Sequence, residues 1–128
     1  MLEIPTLQVK MFLDVQRPPG DTSMSAEIVR RFAERLRSKE WPRDRPFPQV
    51  YFDPRSVELD RKERASLHAK CIVVDQRTVF VSSANFTEAA QKRNLEIGLL
   101  IRSRTLAGQI IGYFEELLAH EYLIRAPI

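Results

Sequence analysis

Six of the polar side chains in residues 66–101 form three pairs with two-residue spacing, set between runs of aliphatic residues. The pairs are His68 with Lys70, Ser83 with Asn85, and Asn94 with Glu96. A polar side chain inside a strand costs free energy unless it is paired, so these residues are candidates for chemistry. An imidazole can serve as nucleophile, a lysine can neutralise an oxyanion, and amides and hydroxyls donate hydrogen bonds. Together they suit attack on a phosphodiester, whose negative charge otherwise repels nucleophiles.

The first pair is expected on a strand that continues to Val74. Because alternate residues of a strand share a face, His68 and Lys70 should project to the same side. Both faces of this run are otherwise apolar, which predicts a strand covered on both sides. Cys71 lies within it and is interpreted as a small core hydrophobe, not a catalytic thiol.

Two further strands should bring the other pairs to the same place. A turn at Asp75 and Gln76 and a strand over residues 78–82 predict a hairpin. Thr87 can cap a short helix after Asn85. A third strand is predicted over residues 94–102, so that one sheet gathers the three polar pairs.

The order H-x-K-x4-D, S-S-x-N and N-x-E in residues 68–96 resembles the HKD motif of the phospholipase D superfamily. Residues 85–90, NFTEAA, are most similar to the small bacterial nucleases and helicase-linked members. The phospholipase D-like component of DISARM-type phage-defence systems is one family that such a segment fits. Ser82 is a departure, because the family usually has glycine there, where it allows close approach of backbone to phosphate.

The resemblance implies a covalent phosphohistidine at His68, with no metal and no cofactor. Glu96 is expected to accept a hydrogen bond from the other ring nitrogen of His68, fixing its tautomer. The residues expected to hold the substrate phosphate are Lys70, Ser83, Asn85 and Asn94. Asp75 is expected to be structural, its carboxylate fixing the turn.

The segment before the motif predicts a strand, a helix and a second strand. The strand covers residues 7–15, and the helix, capped by Ser23 or Ser25, runs to about residue 39. Apolar residues at helical spacing predict its buried stripe, namely Ile28, Val29, Phe32 and Leu36. Trp41-Pro42 should end the helix. A short strand at residues 49–52 then leads into a charged loop, residues 53–64, whose Arg55, Arg61, Lys62 and Arg64 are hypothesised to touch substrate phosphates.

A last helix is predicted from a Thr105 cap to about residue 121. Its predicted buried stripe comprises Leu106, Ile110, Tyr113, Phe114, Leu117 and Leu118. The element order β-α-β-β-β-α-β-α predicts the α/β class with a phospholipase D-type mixed sheet flanked by helices. Residues 1–128 are interpreted as a single domain, the C-terminal part of one lobe that lacks the family's N-terminal strand and helices. The sheet should then have an open edge or apolar face, so the chain should associate.

The mechanism of the family needs two histidines, and this chain has one H-x-K. The other histidine, His120, is expected to be a solvated residue at a helix end. The second motif should therefore come from a homodimer mate or from a missing N-terminal lobe. With a formal net charge of +3, the chain is interpreted as half of a metal-independent nuclease, with DNA ahead of RNA as partner.

Two alternatives stay open from the sequence. One is a phospholipase D or phosphatidyltransferase that acts on lipid, and the other is a non-catalytic subunit that binds nucleic acid. No apolar run approaches the roughly 20 residues of a membrane span, and no basic-then-apolar leader is present at the start. We therefore expect no membrane association and a cytoplasmic location.

Overall fold

The structure is a computed structural model that describes residues 8–67, 70–83 and 95–127. Its elements are β1 (Lys10–Phe12), α1 (Ser25–Arg35), β2 (Gln49–Phe52), β3 (Cys71–Val74), β4 (Thr78–Ser82), β5 (Gly98–Arg102), α2 (Arg104–Ala119) and β6 (Ile124–Arg125). They fall into two compact units: residues 1–67 with 121–128, the first unit, and residues 68–120, the second unit. The predicted α/β class is confirmed; the helix predicted after Asn85 lies outside the described residues.

The first unit contains a mixed three-stranded sheet with the order β1-β2-β6. Strand β1 pairs with β2 in parallel and β6 pairs with β2 in antiparallel orientation. The β2 prediction is correct to the residue, whereas β1 is shorter than the predicted 7–15. The sequence did not predict β6, because two residues are too few to show a strand period.

Helix α1 buries the predicted stripe against this sheet. Ile28, Val29 and Leu36 are buried, and Phe32 packs against the same cluster. The predicted cap is wrong: the residue before the helix is Met24, which makes no side-chain cap. The Ser25 hydroxyl instead donates to the Val57 carbonyl oxygen at 3.1 Å. A wider π-helical turn, Leu36–Glu40, follows α1, and the helical segment ends at extended Trp41, as Trp41-Pro42 predicted.

A buried arginine ties together the loops of the first unit. Arg17 is 4 % exposed, and its guanidinium donates to the carbonyl oxygens of Val57 at 3.0 Å and Asp21 at 2.9 Å. It also donates to the Ser23 carbonyl oxygen at 2.5 Å. Backbone carbonyls thus satisfy a buried cation, which would otherwise be strongly destabilising.

The second unit contains an antiparallel sheet with the order β3-β4-β5. The predicted hairpin is confirmed: Asp75 and Gln76 take φ values of 53° and 55°, and the Arg77 N–H donates to the Val74 carbonyl at 3.1 Å. Two consecutive positive φ angles suit the twist of a hairpin. Strand β5 begins at Gly98 instead of the predicted Asn94; among the described residues 95–97 none belongs to a strand.

Helix α2 packs against β4, where Val79 and Ala107 are both fully buried. Ser103, not the predicted Thr105, caps the helix, and its hydroxyl accepts from the Leu106 N–H at 3.1 Å. The predicted stripe of this helix is wrong at Tyr113, which is exposed, and its other five residues are half-buried.

The prediction that β3 is covered on both sides is wrong. Ile72 is exposed, and Leu100, which shares its face across β4, is 65 % exposed. The reason is that one helix of the described residues packs on this three-stranded sheet and covers one face. Leu95, Ile97 and Leu99 are also exposed.

Within the described part of the chain, no helix combines the length and apolar character needed to cross a bilayer.

Candidate active site

Two backbone hydrogen bonds bring the three predicted strand ends together in the second unit. The Ser82 N–H donates to the Lys70 carbonyl oxygen at 3.0 Å, which places the residue before β3 beside the end of β4. The Ser83 N–H donates to the Ile97 carbonyl oxygen at 3.0 Å, which places the end of β4 beside the start of β5. The predicted convergence of these strand ends is therefore present in the described residues.

Ser83 and Glu96 form the best-defined polar contact at this edge. The Ser83 hydroxyl donates to a Glu96 carboxylate oxygen (Oε2) in a short hydrogen bond. The same hydroxyl oxygen accepts from the Ile97 N–H at 3.2 Å. With one donor and one acceptor role filled, Ser83 fixes the carboxylate of a half-buried glutamate relative to β4. The Ser83 hydroxyl proton points to Glu96 in this structure. The role predicted for Ser83 in binding phosphate stays a prediction.

Lys70 and Cys71 lie where β3 begins. Lys70 is half-buried, and its backbone carbonyl accepts the hydrogen bond from the Ser82 N–H. Burial raises the pKa of the Cys71 thiol above its ordinary value, so the sulfur stays protonated and apolar near neutral pH. This agrees with the interpretation of Cys71 as a small hydrophobe.

Asp75 lies at the other end of β3, in the turn to β4, so the structure does not bring it to Ser83 and Glu96. Its side chain is exposed and its backbone has the positive φ that the turn requires. Aspartate tolerates this conformation better than most residues. That its carboxylate itself fixes the turn stays a prediction.

The remaining predicted site residues, His68, Asn85 and Asn94, lie outside the described residues. The contact predicted between Glu96 and His68 is therefore a prediction still. His120 is exposed at the end of α2. In residues 8–67, 70–83 and 95–127, no group of three or more His, Cys, Asp or Glu side chains is arranged to hold a metal ion.

The charged loop of the first unit is more ordered than its composition suggested. The Arg55 guanidinium pairs with the Asp53 carboxylate at 2.8 Å. Burial, the largest single effect, raises the pKa of Asp53, but the hydrogen bonds and the charge of Arg55 together outweigh it and hold that pKa below its ordinary value. Arg64 donates to the Glu58 carbonyl oxygen at 2.7 Å. Arg61 and Lys62 are exposed. Two of the four cations hypothesised to touch substrate thus already bind protein groups.

Sequence reasoning missed the role of Gly98 beside this edge. A Cβ at Gly98 would lie 2.9 Å from the Phe80 ring, so glycine lets that ring lie across β5 next to Ser82. The signal was available as an isolated glycine in a strand pattern, which often marks a close approach.

A family model described as "Cardiolipin synthase, PLD-like domain" matches residues 9–118. Cardiolipin synthase C from Escherichia coli (strain K12) is 49 % identical over 43 residues, which are 34 % of this chain and 9 % of that protein. The chain therefore covers only a small part of that relative. No solved structure matches the chain at a significant level. The nuclease branch and the DISARM-type component stay predictions. The family match spans most of the chain and confirms the superfamily: the chain belongs to the phospholipase D-like domain family.

Proposed function

We propose that this chain supplies one half of an active site for phosphodiester transfer or hydrolysis, with a phospholipid as substrate. The observation that carries the proposal is the match of residues 9–118 to a family described by cardiolipin synthase. The segment of 49 % identity to cardiolipin synthase C supports the same substrate class. This places the lipid alternative ahead of the nuclease interpretation that the sequence favoured.

The chemistry proceeds in two displacements at phosphorus. A ring nitrogen of His68 attacks the phosphodiester, forming a P–N bond, while the P–O bond to the leaving alcohol breaks and an acid protonates that alkoxide. The group that protonated the alkoxide, now a base, takes the proton of an attacking water or lipid hydroxyl, while the new P–O bond forms and the P–N bond to His68 breaks. Lys70 neutralises the non-bridging oxygens. Glu96, held by Ser83, accepts a hydrogen bond from the protonated ring nitrogen of His68 and keeps the tautomer of His68 constant.

The leaving alkoxide needs an acid on the side opposite the attacking imidazole. This chain carries His68 and His120, and His120 lies at the end of α2 with no H-x-K pattern. The acid is therefore proposed to be a second H-x-K histidine, from another copy of this chain or from another lobe of a longer protein.

Nucleic acid is the second candidate substrate, and the net charge of +3 favours it. The charged face of α1 weakens that argument. Arg30 pairs with Glu27 and Glu34, and Arg31 pairs with Glu27 and Asp21. These guanidiniums are already neutralised, so they add little to the attraction of a polyanion.

The decisive experiment offers both substrates to the same preparation. The purified protein is incubated in EDTA with vesicles of labelled phosphatidylglycerol and, separately, with labelled single- and double-stranded DNA. We expect a released alcohol or a new lipid phosphodiester, and no DNA cleavage. His68→Ala should abolish turnover, whereas His120→Ala, the matched control, should retain it.

Trapping the intermediate tests the chemistry independently of turnover. Denaturation at alkaline pH during the reaction should retain the labelled phosphoryl group on the wild type and not on His68→Ala. DNA cleavage that depends on His68, with lipid untouched, would instead establish the nuclease. Turnover that survives His68→Ala would refute both the lipid reaction and the nuclease reaction through His68.

A further inference from the structure

The first unit contains a recess lined by two arginines that no part of the proposed active site uses. Its volume is about 120 Å³, and its lining residues are Arg37, Phe47, Pro48, Val50, Arg125 and Ala126. None of the six is acidic. From this arrangement we propose that the recess binds the phosphate group of a phosphoester, either a lipid headgroup or a small soluble phosphate.

Arg37 is held in place by an aromatic ring. Its guanidinium carbon lies 4.7 Å from the centre of the Phe47 ring, a distance typical of a cation–π contact. Phe47 is itself positioned by Trp41, whose ring lies edge-on at 6.1 Å and whose Nε1 donates to the Pro46 carbonyl at 2.9 Å. The planar guanidinium of Arg37 carries several N–H donors that suit an oxyanion.

Arg125 comes from a different element and is fixed by sheet pairing. It pairs with Tyr51 in the antiparallel register of β2 and β6, and the next residue, Ala126, donates its N–H to the Val50 carbonyl at 2.8 Å. The backbone that carries Arg125 is thus anchored to the central strand of the unit. A ligand in the recess would meet one arginine from the π-helical turn after α1 and one from β6.

The two cations have no carboxylate partner among the residues that the structure describes. The ion pairs there involve Arg30, Arg31 and Arg55. Two arginines that line one recess without an ion pair favour an anion, and the fork of donors on each guanidinium matches the oxygens of phosphate.

The size and lining of the recess narrow the ligand class. A single water needs roughly 10–15 Å³ of such volume, so about 120 Å³ has room for a phosphate group and the first atoms of its ester. Phe47 and Val50 also line the recess, so the carbon atoms of an ester have a small apolar contact there. The inference does not depend on His68 chemistry or on the proposed function.

Binding of inorganic phosphate, measured by calorimetry, tests the proposal directly. Arg37→Gln and Arg125→Gln should each weaken phosphate binding about tenfold or more, because each removes a charge-assisted hydrogen-bond donor. Arg37→Lys should retain part of the affinity, since it keeps the charge and loses the fork. Arg43→Gln, an exposed arginine of the same unit outside the recess, is the matched control for charge. Thermal unfolding of each variant verifies that it is folded.

Vesicle sedimentation distinguishes the two sources of phosphate. Binding to phosphatidylglycerol vesicles that both recess variants weaken, and Arg43→Gln does not, supports a lipid headgroup. Phosphate binding without vesicle binding supports a soluble phosphoester. Absence of phosphate binding to the wild type, or an equal loss in Arg43→Gln, overturns the proposal. His68→Ala should bind phosphate in the recess like the wild type, so failure of the catalytic proposal leaves this result unaffected.

Discussion

The Ser83 hydroxyl has two alternative roles at the candidate site, as a ligand of the substrate phosphate or as a hydrogen-bond donor to Glu96. As a phosphate ligand it would direct its proton to substrate, whereas the structure directs the proton to Glu96. The Ile97 N–H occupies its oxygen at 3.2 Å, which fixes the rotamer that serves Glu96. A hydrogen bond to a carboxylate is stronger than one between neutral groups, so the positioning role is favoured before substrate binds.

Ser83→Ala should therefore lower kcat about tenfold and leave KM nearly unchanged. The loss of the hydroxyl frees the Glu96 carboxylate to move, which disturbs the tautomer and basicity of His68 and not the binding of phosphate. The pH profile of kcat should shift with it, a change that a purely structural residue would not cause. Ser38→Ala, at an exposed serine, is the control. A raised KM with unchanged kcat would instead establish Ser83 as a phosphate ligand.

At the scale of elements, the contact between Gly98 and Phe80 couples β5 to β4 beside the site. A methyl group at position 98 would lie 2.9 Å from the ring, so the ring or the strand must shift. Overpacking costs about 1–3 kcal/mol in a packed core, and the lower end of that range applies here because Phe80 is half-buried and the end of its ring can move. Gly98→Ala should thus destabilise the protein by about 1 kcal/mol in urea unfolding.

Gly108→Ala is the matched control for Gly98→Ala. A Cβ at Gly108, within α2, would meet nothing within 4 Å, and alanine is favoured over glycine in a helix by up to about 1 kcal/mol. It should leave stability unchanged or raise it. Equal effects of the two substitutions would argue that close approach to Phe80 is not the reason for glycine at position 98.

An ion-pair network stabilises helix α1, and its contribution to the free energy of unfolding decreases as the pH is lowered. The hydrogen bond from Arg30, opposed by desolvation and aided by Arg31, lowers the pKa of Glu27 from 4.5 to about 2. Because the unfolded chain takes up this proton first, the contribution is fully present above pH 4.5 and is lost as pH falls toward about 2. The effect should shrink at high salt, since the network is solvent-exposed.

Acid unfolding of the wild type and of Glu27→Gln checks this prediction. The difference in unfolding free energy between them should narrow as the pH falls from 4.5 to about 2. NMR of the side-chain carboxyl groups should show a lowered pKa for Glu27. Glu63→Gln, an exposed glutamate outside the network, controls for the loss of one negative charge. A Glu27 carboxyl that titrates at its ordinary value would contradict the network.

Elements marked by an apolar period or by turn residues could be predicted from the sequence, whereas the helix caps and the two-residue strand β6 could not. The α1 stripe and the β3–β4 hairpin are confirmed because period and turn residues specify them locally. The α1 cap was wrong because tertiary partners engage the Ser25 hydroxyl, which donates to the Val57 carbonyl and accepts from Arg17. Strand β6 and the exposure of Ile72 and Leu100 depend on which elements pack together, which local patterns do not encode. At the site, spacing predicted that the strand ends meet, but not that Ser83 bonds Glu96.

At the scale of the whole molecule, the chain has one H-x-K and an exposed apolar surface near the same strands. Leu95 is 100 % exposed beside Glu96, and Leu99 and Leu100 follow in β5. Leu99 and Leu100 lie on opposite faces of β5, and exposed apolar groups beside the proposed half-site favour association. The proposal of a second motif from another copy therefore predicts a specific dependence on subunit composition.

Mixing the wild type with His68→Ala under conditions of subunit exchange tests this dependence. If each site takes one histidine from each of two copies, activity falls as the square of the wild-type fraction, because a mixed pair lacks one of the two histidines in its site. An equal mixture should then show about a quarter of the wild-type activity, against about a half if each chain works alone or with a second motif in the same protein. His120→Ala, mixed in the same way, should leave activity unchanged. A linear decline with His68→Ala would exclude the shared site and direct the search for the second histidine to another lobe.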